Sequence, residues 1–370
     1  MARNATNKFL HKAKKSKSDE FYTQYVDIQK EVEAYLEYNS ETFRDKVVYC
    51  NCDDPYESNF FRYFVLNFER IGLKQLITTS YKPSPVANTQ LELFGENKTP
   101  KQTKGRPKVT ANKFIINTVG DIDGDGEFNL QDVALQLKQN KQNEWAPLEG
   151  DGDFRDNESI ELLKKADYVI TNPPFSLFRE YIKQLFDYDK SFLIIANINA
   201  ITYKEVFPLI KENKMWLGTG MGRWISGFIV PETYELYGTE ARIDEDGNRI
   251  VSTNNCLWFT NIDHGKRHQP LPLMSMSDNI KFSSHKNVKG KEYAKYDNYN
   301  AIEVPFTDAI PSDYDGVMGV PITFLDKYNP EQFEILGIDR YIADNPNYGK
   351  RFTIDGKEIY ARVLIRHIKK

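Results

Sequence analysis

The residues whose types and spacing point most clearly to chemistry are Thr171–Phe175, which follow a short apolar run. Pro173 and Pro174 stiffen the turn and leave carbonyl groups that no strand ladder uses. The side chain of Asn172 adds an amide carbonyl, and Phe175 adds a flat apolar face. Two acceptors beside an aromatic face can take both hydrogens of a ring-bound amino group while the ring stacks. The pattern therefore favours chemistry on an exocyclic amine, such as its methylation, over a turn that merely uses prolines.

An alternation of strands and helices must position this turn. Short apolar runs rich in β-branched residues predict buried strands, and runs with one apolar face predict helices between them. The predicted strands are 47–50, 75–78, 113–116, 168–170 and 192–195, and the predicted helices are 27–38, 59–71, 160–165, 177–186 and 203–213. This rhythm indicates a parallel sheet with helical crossovers. The turn then follows a strand at its carboxyl end, where α/β sheets place their active sites.

Charge is distributed unevenly along the chain. The net charge of −4 argues at first sight against a nucleic-acid partner. Residues 119–161 hold twelve acidic and three basic residues, a net of −9, so the remainder of the chain carries +5. The first 18 residues hold six basic residues and no acid, a composition that suits contact with a phosphate backbone. The sequence therefore predicts a basic protein that carries one acidic insert.

The number of cysteines and the lack of long apolar segments indicate the cellular compartment of the protein. Cys50, Cys52 and Cys256 are too few for a disulfide framework. No run of 18 apolar residues is present, and the first residues lack the apolar stretch of a signal peptide. We expect a cytoplasmic protein that spans no membrane, and no obligatory protein partner is evident.

The acidic segment has the spacing of a calcium-binding loop. Acidic side chains occupy positions 1, 3, 5, 7 and 12 of that pattern, with glycine at position 6 and aspartate in place of the usual glutamate at position 12. The ligands would be Asp121, Asp123, Asp125, Glu127 and Asp132. The spacing predicts a structural calcium ion, with a solvated acidic insert as the alternative.

The turn at Thr171–Phe175 resembles the catalytic motif of S-adenosylmethionine-dependent amino methyltransferases, in the Asn-Pro-Pro-Phe form usual for adenine N6. Longer segments are similar to the EcoRI-type adenine-specific DNA methyltransferase family, namely VVYCNCDDPYESNFF, EGDGDFRD, TNPPFSLFREY and IPSDYDGVMGVPITFLDKYNPEQFEILG. The resemblance covers the chain nearly end to end, apart from about residues 83–148. It implies a site-specific adenine N6-methyltransferase that acts on a flipped-out base in duplex DNA, in a bacterial or phage restriction-modification or defence context.

The resemblance also implies the fold and its division. The fold class is α/β, with a Rossmann-like methyltransferase domain built on a mostly parallel sheet and a C-terminal target-recognition region of mixed α/β structure. We expect a basic tail at residues 1–18 and the methyltransferase domain at 19–215, with an inserted loop and acidic segment at about 83–148. The target-recognition region would then occupy residues 216–370.

Roles for individual residues follow from the same resemblance. The catalytic residues would be Asn172, Pro173, Pro174 and Phe175. The residues that bind S-adenosylmethionine would be Phe21, Tyr22, Thr23, Cys50, Asn51, Asp53, Asp54, Asp153 and Phe154. Asp153 would accept a hydrogen bond from the cofactor's adenine, on which Phe154 would stack. No Gly-x-Gly follows the first strand, and the second strand ends without the usual acid, so no ribose ligand is assigned.

Two other interpretations stay open from the residues alone. The chain could methylate RNA adenine or protein glutamine, since the tetrapeptide recurs in such enzymes. It could also be a DNA-binding protein with a decayed site, because Gly-x-Gly is missing. Basic residues of the C-terminal region, including Lys266, Arg267 and His268, are not assigned to base contacts.

Overall fold

The computed structural model describes residues 22–52, 58–80, 111–126, 128–139, 142–221, 225–230, 241–245, 247–252, 255–342 and 349–368. Its helices are α1 (Tyr25–Tyr38), α2 (Asn59–Leu66), α3 (Leu130–Gln139), α4 (Asn157–Lys165), α5 (Phe178–Asp187), α6 (Phe207–Lys211) and α7 (Met276–Phe282). Its first nine strands are β1 (Tyr22–Thr23), β2 (Val47–Cys50), β3 (Gln75–Thr79), β4 (Asn112–Ile116), β5 (Glu144–Pro147), β6 (Tyr168–Thr171), β7 (Ser191–Asn197), β8 (Trp216–Met221) and β9 (Phe228–Val230). The later strands are β10 (Ala241–Ile243), β11 (Arg249–Val251), β12 (Cys256–Thr260), β13 (Ile302–Glu303), β14 (Met318–Pro321), β15 (Phe333–Ile338), β16 (Thr353–Ile354), β17 (Lys357–Glu358) and β18 (Arg362–His367).

The chain divides into two compact units. The first comprises Met1–Asn197 and Gly220–Ile262, and the second comprises Ile198–Thr219 and Asp263–Lys370, each over its described residues. In the described part of the chain, no helix is long and apolar enough to cross a bilayer.

The main sheet of the first unit has the strand order β5-β4-β3-β2-β6-β7-β12. The pairings β2–β3, β2–β6 and β6–β7 are parallel, whereas β3–β4, β4–β5 and β7–β12 are antiparallel. The predicted mostly parallel sheet is therefore found only at the four central strands, and the sheet as a whole is mixed. Antiparallel neighbours need no crossover helix, and β4 lies beside β3 without a described helix between them.

The central strands are buried on both faces, as parallel sheets require. All four residues of β2 are buried. Helix α1 packs with Ile28, Val32 and Tyr35, which lie four and three residues apart on one face. Helix α2 begins where the Ser58 hydroxyl accepts a hydrogen bond from the backbone N–H of Phe61 at 3.3 Å. The helix predicted over 59–71 ends at Leu66 and continues as turns, and that predicted over 203–213 is the shorter α6.

A second sheet of the first unit has the order β1-β9-β11-β10, with antiparallel pairings throughout. In the register of β1 with β9, Thr23 lies opposite Phe228. This pairing joins two segments that are about 200 residues apart in the sequence.

The second unit contains a sheet with the order β13-β14-β18-β15, in which only β13 and β14 are parallel, and the hairpin β16–β17. Its core includes Tyr296 and Phe352, whose rings stack with centroids 4.5 Å apart. Helix α7 begins at a Ser275 hydroxyl that accepts a hydrogen bond from the Asp278 N–H at 3.1 Å.

Candidate active site

Several candidate residues lie at one edge of the main sheet of the first unit. The parallel strands β3, β2 and β6 bring their carboxyl ends to the same edge, in a register that pairs Cys50 with Thr78. Asn51 follows β2 directly, and Asn172 follows β6 directly. This edge is where open α/β sheets bind their ligands.

The turn after β6 carries the predicted catalytic residues. Asn172 and Pro173 are buried, while Pro174 and Phe175 are half-buried. The Pro174 carbonyl accepts a hydrogen bond from the Leu177 N–H at 3.0 Å and starts a short 3-10 turn that leads into α5. No described residue donates to the Pro173 carbonyl. Of the two proline carbonyls, the one assigned to the substrate amine is therefore the one not used by the turn.

The ring of Phe175 is supported from within the first unit. Its centroid lies 6.3 Å from that of Phe228, with the rings at 73°. The segment before Phe228 is fixed by Asp27, whose Oδ2 accepts hydrogen bonds from the N–H and the hydroxyl of Ser226 at 2.8 and 2.9 Å. The side chain of Gln24 donates to the same hydroxyl at 2.7 Å. Because Phe228 lies opposite Thr23, this contact links the Asn172–Phe175 turn to the Tyr22–Thr23 strand.

The loop after β2 is tied to helix α5. Cys50 and Asn51 are buried, and the Oδ1 of Asn51 accepts a hydrogen bond from the Tyr181 hydroxyl at 2.5 Å. The thiol of Cys52 donates to the same oxygen at 3.4 Å. Three of the cofactor residues predicted from the resemblance, Phe21, Asp53 and Asp54, lie outside the described residues.

The second predicted cofactor segment is Asp153–Phe154. The Oδ1 of Asp153 accepts from the N–H and the Nε of Arg155 at 2.9 and 2.8 Å, and its Oδ2 accepts from Nη2 at 2.7 Å. These bonds to Arg155 lower the pKa of Asp153, which stays a carboxylate. A carboxylate has about four acceptor positions, so one remains for a ligand amine. Phe154 is buried, with its ring 5.0 Å from that of Tyr181.

A close backbone contact positions the Asp153 segment at the sheet edge. Gly152 has φ +76°, and a Cβ placed on it would lie 2.0 Å from the carbonyl oxygen of Ser80. Only glycine allows this approach, because any side chain would clash with that backbone. The loop is also held by Asp156, whose Oδ2 accepts from the Asp151 N–H at 3.1 Å. The segment after β3 is thereby brought against the Asp153 loop.

Within the parts of the chain that the structure describes, buried hydroxyls without hydrogen-bond partners are found at this edge and on β1 of the second sheet. The Oγ1 atoms of Thr23, Thr78 and Thr171 are buried, and none has a hydrogen-bond partner among the described residues. Thr78 and Thr171 are near the carboxyl ends of β3 and β6, and Thr23 ends β1. Buried polar atoms are normally satisfied by protein, water or ligand. The residues therefore fit S-adenosylmethionine, which carries carboxylate, ammonium and ribose groups.

The acidic loop is a separate cluster. Carboxylate oxygens of Asp121, Asp123 and Asp132 lie within 4.8 Å of one another, whereas Asp125 is not part of the group. Glu127 lies outside the described residues. The oxygens already accept backbone hydrogen bonds, for example from the Ile122 and Asn129 N–H groups to Asp132 at 2.7 and 2.9 Å. The calcium ion stays a prediction.

Two basic residues of the second unit, Lys266 and Arg267, are engaged in internal contacts. The guanidinium of Arg267 lies 3.5 Å from the ring centroid of Trp216 and donates to Asn213. The ammonium of Lys266 donates to Asp326 at 2.5 Å. Both side chains therefore have protein partners within the second unit.

The comparisons with known proteins decide the family. The family described as "Adenine-specific methyltransferase EcoRI" matches residues 9–368. The chain is 53% identical over 367 residues to the Type II methyltransferase M.EcoRI of Escherichia coli, covering 99% of this chain and 98% of the relative. The chain belongs to the EcoRI family of adenine-specific methyltransferases. It is therefore a site-specific DNA adenine methyltransferase of the restriction-modification type, and its family implies S-adenosylmethionine as the methyl donor.

More distant relatives extend the match. The chain is 32% identical over 373 residues to the Type II methyltransferase M.MpnI of Mycoplasma pneumoniae, covering 97% of this chain and 98% of the relative. It is 33% identical over 374 residues to M.MgeORF184P of Mycoplasma genitalium, covering 96% and 98%. No solved structure matches the chain.

Three residues that contact the site, Tyr181, Gln184 and Phe228, have no role predicted from the sequence. Tyr181 and Gln184 lie three apart on α5, and the Gln184 amide donates to the Phe154 carbonyl at 3.0 Å. Phe228 supports Phe175 from a distant segment. No local sequence pattern indicated these contacts, because the partners of all three residues are distant in the sequence.

Proposed function

We propose that the Asn172–Phe175 turn methylates adenine N6 and that the Asn51 and Asp153 loops hold S-adenosylmethionine. The single observation that carries the proposal is the meeting of these three segments around one sheet edge through α5 and Gly152. The four central strands β3-β2-β6-β7 then form the Rossmann-like core of the methyltransferase.

The turn would act on the substrate amine by position and by hydrogen bonding. The Oδ1 of Asn172 and the carbonyl of Pro173 accept the two amino hydrogens, which draws the nitrogen's electron pair out of the ring. Phe175 stacks on the adenine, which must leave the duplex at a cost of a few kcal/mol. The bound cofactor supplies an electrophilic sulfonium methyl. Holding the nitrogen in line with it provides most of the rate gain.

We further propose that residues 216–370 contact the DNA, with the tail at 1–18 adding contacts to phosphates. Residues 279–291 of the second unit hold four lysines and no acid. Lys281, Lys286, Lys289 and Lys291 are exposed, and none is in an ion pair with another described residue. Unpaired lysines on one short stretch suit a phosphate backbone, because each contact releases counterions.

The DNA surface is tested by the salt dependence of binding. The variant with all four lysines changed to Gln is compared with one that changes four scattered exposed lysines, Lys30, Lys74, Lys165 and Lys211. Each lost phosphate contact lowers the slope of log K against log salt by about 0.9. Relative to the wild type, we expect the magnitude of this slope to fall by up to about 3.6 in the first variant and to stay unchanged in the second. Equal slopes in all three proteins would refute this surface.

The chemistry is tested by labelled methyl transfer. Labelled S-adenosylmethionine is incubated with unmethylated duplex DNA, with RNA and with protein. We expect label only in DNA adenine, at N6. Transfer to RNA or to protein glutamine alone would overturn the proposal, as would no transfer to any DNA. We place this activity in the bacterial cytoplasm, as the origin of the relatives suggests.

A further inference from the structure

Helix α5 contacts both loops assigned to the cofactor. It begins four residues after Pro174, and it presents Tyr181 and Gln184 on one face. The Tyr181 hydroxyl reaches Asn51 at 2.5 Å, while its ring packs edge-on against that of Phe154. Gln184 adds a hydrogen bond to the Phe154 carbonyl. One residue, Tyr181, therefore touches both loops from the helix into which the catalytic turn leads.

The contact also fixes the orientation of the Asn51 amide. An amide has one end that accepts and one that donates, and its orientation is set by its neighbours. Tyr181 and Cys52 both donate to Oδ1, so this oxygen is committed within the protein. No described residue accepts from Nδ2. The amide can thus offer only donors to a ligand.

The hydroxyl of Tyr181 is suited to this task. The side chain is fully buried, and burial raises its pKa well above the ordinary value for tyrosine. It therefore keeps its proton at any working pH and remains a donor. The Asn51 oxygen stays occupied whether or not a ligand is bound.

We propose that Tyr181 is a positioning residue that orients Asn51 as a hydrogen-bond donor to an oxygen of S-adenosylmethionine. This inference rests on the proposed cofactor site. The cofactor oxygen belongs either to the methionine carboxylate or to the ribose, both of which accept from an amide N–H. Without the Tyr181 hydroxyl, only the weak thiol bond from Cys52 at 3.4 Å holds the amide, which can then rotate and present its oxygen, and that oxygen repels either acceptor.

The test measures the dissociation constant of S-adenosylmethionine by calorimetry. Tyr181→Phe keeps the ring contact with Phe154 and removes only the hydroxyl. We expect the dissociation constant to rise about tenfold, as loss of one net hydrogen bond implies. Tyr168→Phe is the matched control, since Tyr168 is half-buried on β6 and its hydroxyl has no described partner. The control is expected to bind like the wild type.

A second variant separates orientation from stability. Asn51→Asp keeps the size of the side chain and replaces its donor by an acceptor, so we expect weaker binding than in Tyr181→Phe. Decarboxylated S-adenosylmethionine distinguishes the two oxygens: a tyrosine effect that disappears identifies the carboxylate, and one that persists identifies the ribose. Either result supports the proposal.

Three outcomes separate the possible failures. A wild-type protein that binds no S-adenosylmethionine would overturn the proposed cofactor site itself. Wild-type binding that Tyr181→Phe leaves unchanged, with or without a lower melting temperature, would overturn the positioning role alone. Unchanged binding in Asn51→Asp would overturn the assigned donor.

Discussion

The substitution Asp153→Asn tests the cofactor site at its only described carboxylate. The change keeps the size of the side chain and removes the negative charge that Arg155 faces at 2.7 Å. If Asp153 accepts the amine of the cofactor's adenine, the variant loses a hydrogen bond to a charged group. Such bonds contribute about 1.5–3 kcal/mol. At 1.4 kcal/mol for each factor of ten, affinity for S-adenosylmethionine falls by about 10- to 150-fold.

The effect on folding is expected to be much smaller. Arg155 is half-exposed, with 49% of its side chain accessible, and it keeps its ion pair with Glu180 at 3.0 Å. An exposed pair of this kind contributes about 0–1 kcal/mol. A loss of that size lowers the melting temperature by at most about 4 °C. Affinity and stability therefore separate the functional role of Asp153 from a merely structural one.

Calorimetric titration with S-adenosylmethionine gives the affinity, and thermal unfolding gives the stability. Asp151→Asn is the control, because it makes the same change two residues away on an exposed side chain of the same loop. A folded Asp153→Asn protein that binds within twofold of the wild type would refute the reasoning. So would an equal loss of affinity in the control.

Two further predictions concern the stacking ring and a buried acid. Phe175→Leu is expected to lower the rate of methylation about 5- to 150-fold, since stacking on one base contributes about 1–3 kcal/mol, while cofactor affinity stays unchanged; weakened cofactor binding would contradict this. Burial raises the pKa of Asp339 to about 6. The free energy of unfolding therefore falls as the pH rises from about 3.8, the ordinary pKa of aspartate, to about 6. Above about pH 6 the full cost of burying the charged carboxylate applies. Asp339→Asn should raise the free energy of unfolding by up to about 3 kcal/mol at pH 8 and by little at pH 4, measured in urea; no difference at pH 8 would be the contrary result.

The sequence predicts the strands well and their directions poorly. The run Val47–Cys50 matches β2, because a short run of β-branched and apolar residues fits a strand buried on both faces. Nothing in such a run specifies the direction of its neighbour. In β4 the residues are alternately buried and half-buried, as is typical of antiparallel strands, but its sequence, Asn-Lys-Phe-Ile-Ile, does not alternate between polar and apolar residues and so gives no such signal.

In the candidate site, too, local features could be predicted from the sequence and long-range contacts could not. The turn at Asn172 could be placed after β6 because its prolines and the preceding strand are adjacent in the sequence. The roles of Tyr181 and Phe228 could not be predicted, since their partners are 130 and 53 residues away and contacts at such separations leave no local pattern. Gly152 illustrates the point: its tight approach to Ser80 is visible only once the chain is folded.

The most direct test of the account is the rate of N6-methyladenine formation in a single turnover with saturating DNA and cofactor. Asn172→Ala is compared with Asn157→Ala, the same change at an exposed position in the first turn of α4. Removing one preorganised hydrogen-bonding group from an active site typically costs about 100- to 1000-fold in rate. The account predicts that loss for Asn172→Ala, with cofactor affinity retained, and a wild-type rate for Asn157→Ala. A folded Asn172→Ala protein that methylates adenine at the wild-type rate would contradict it.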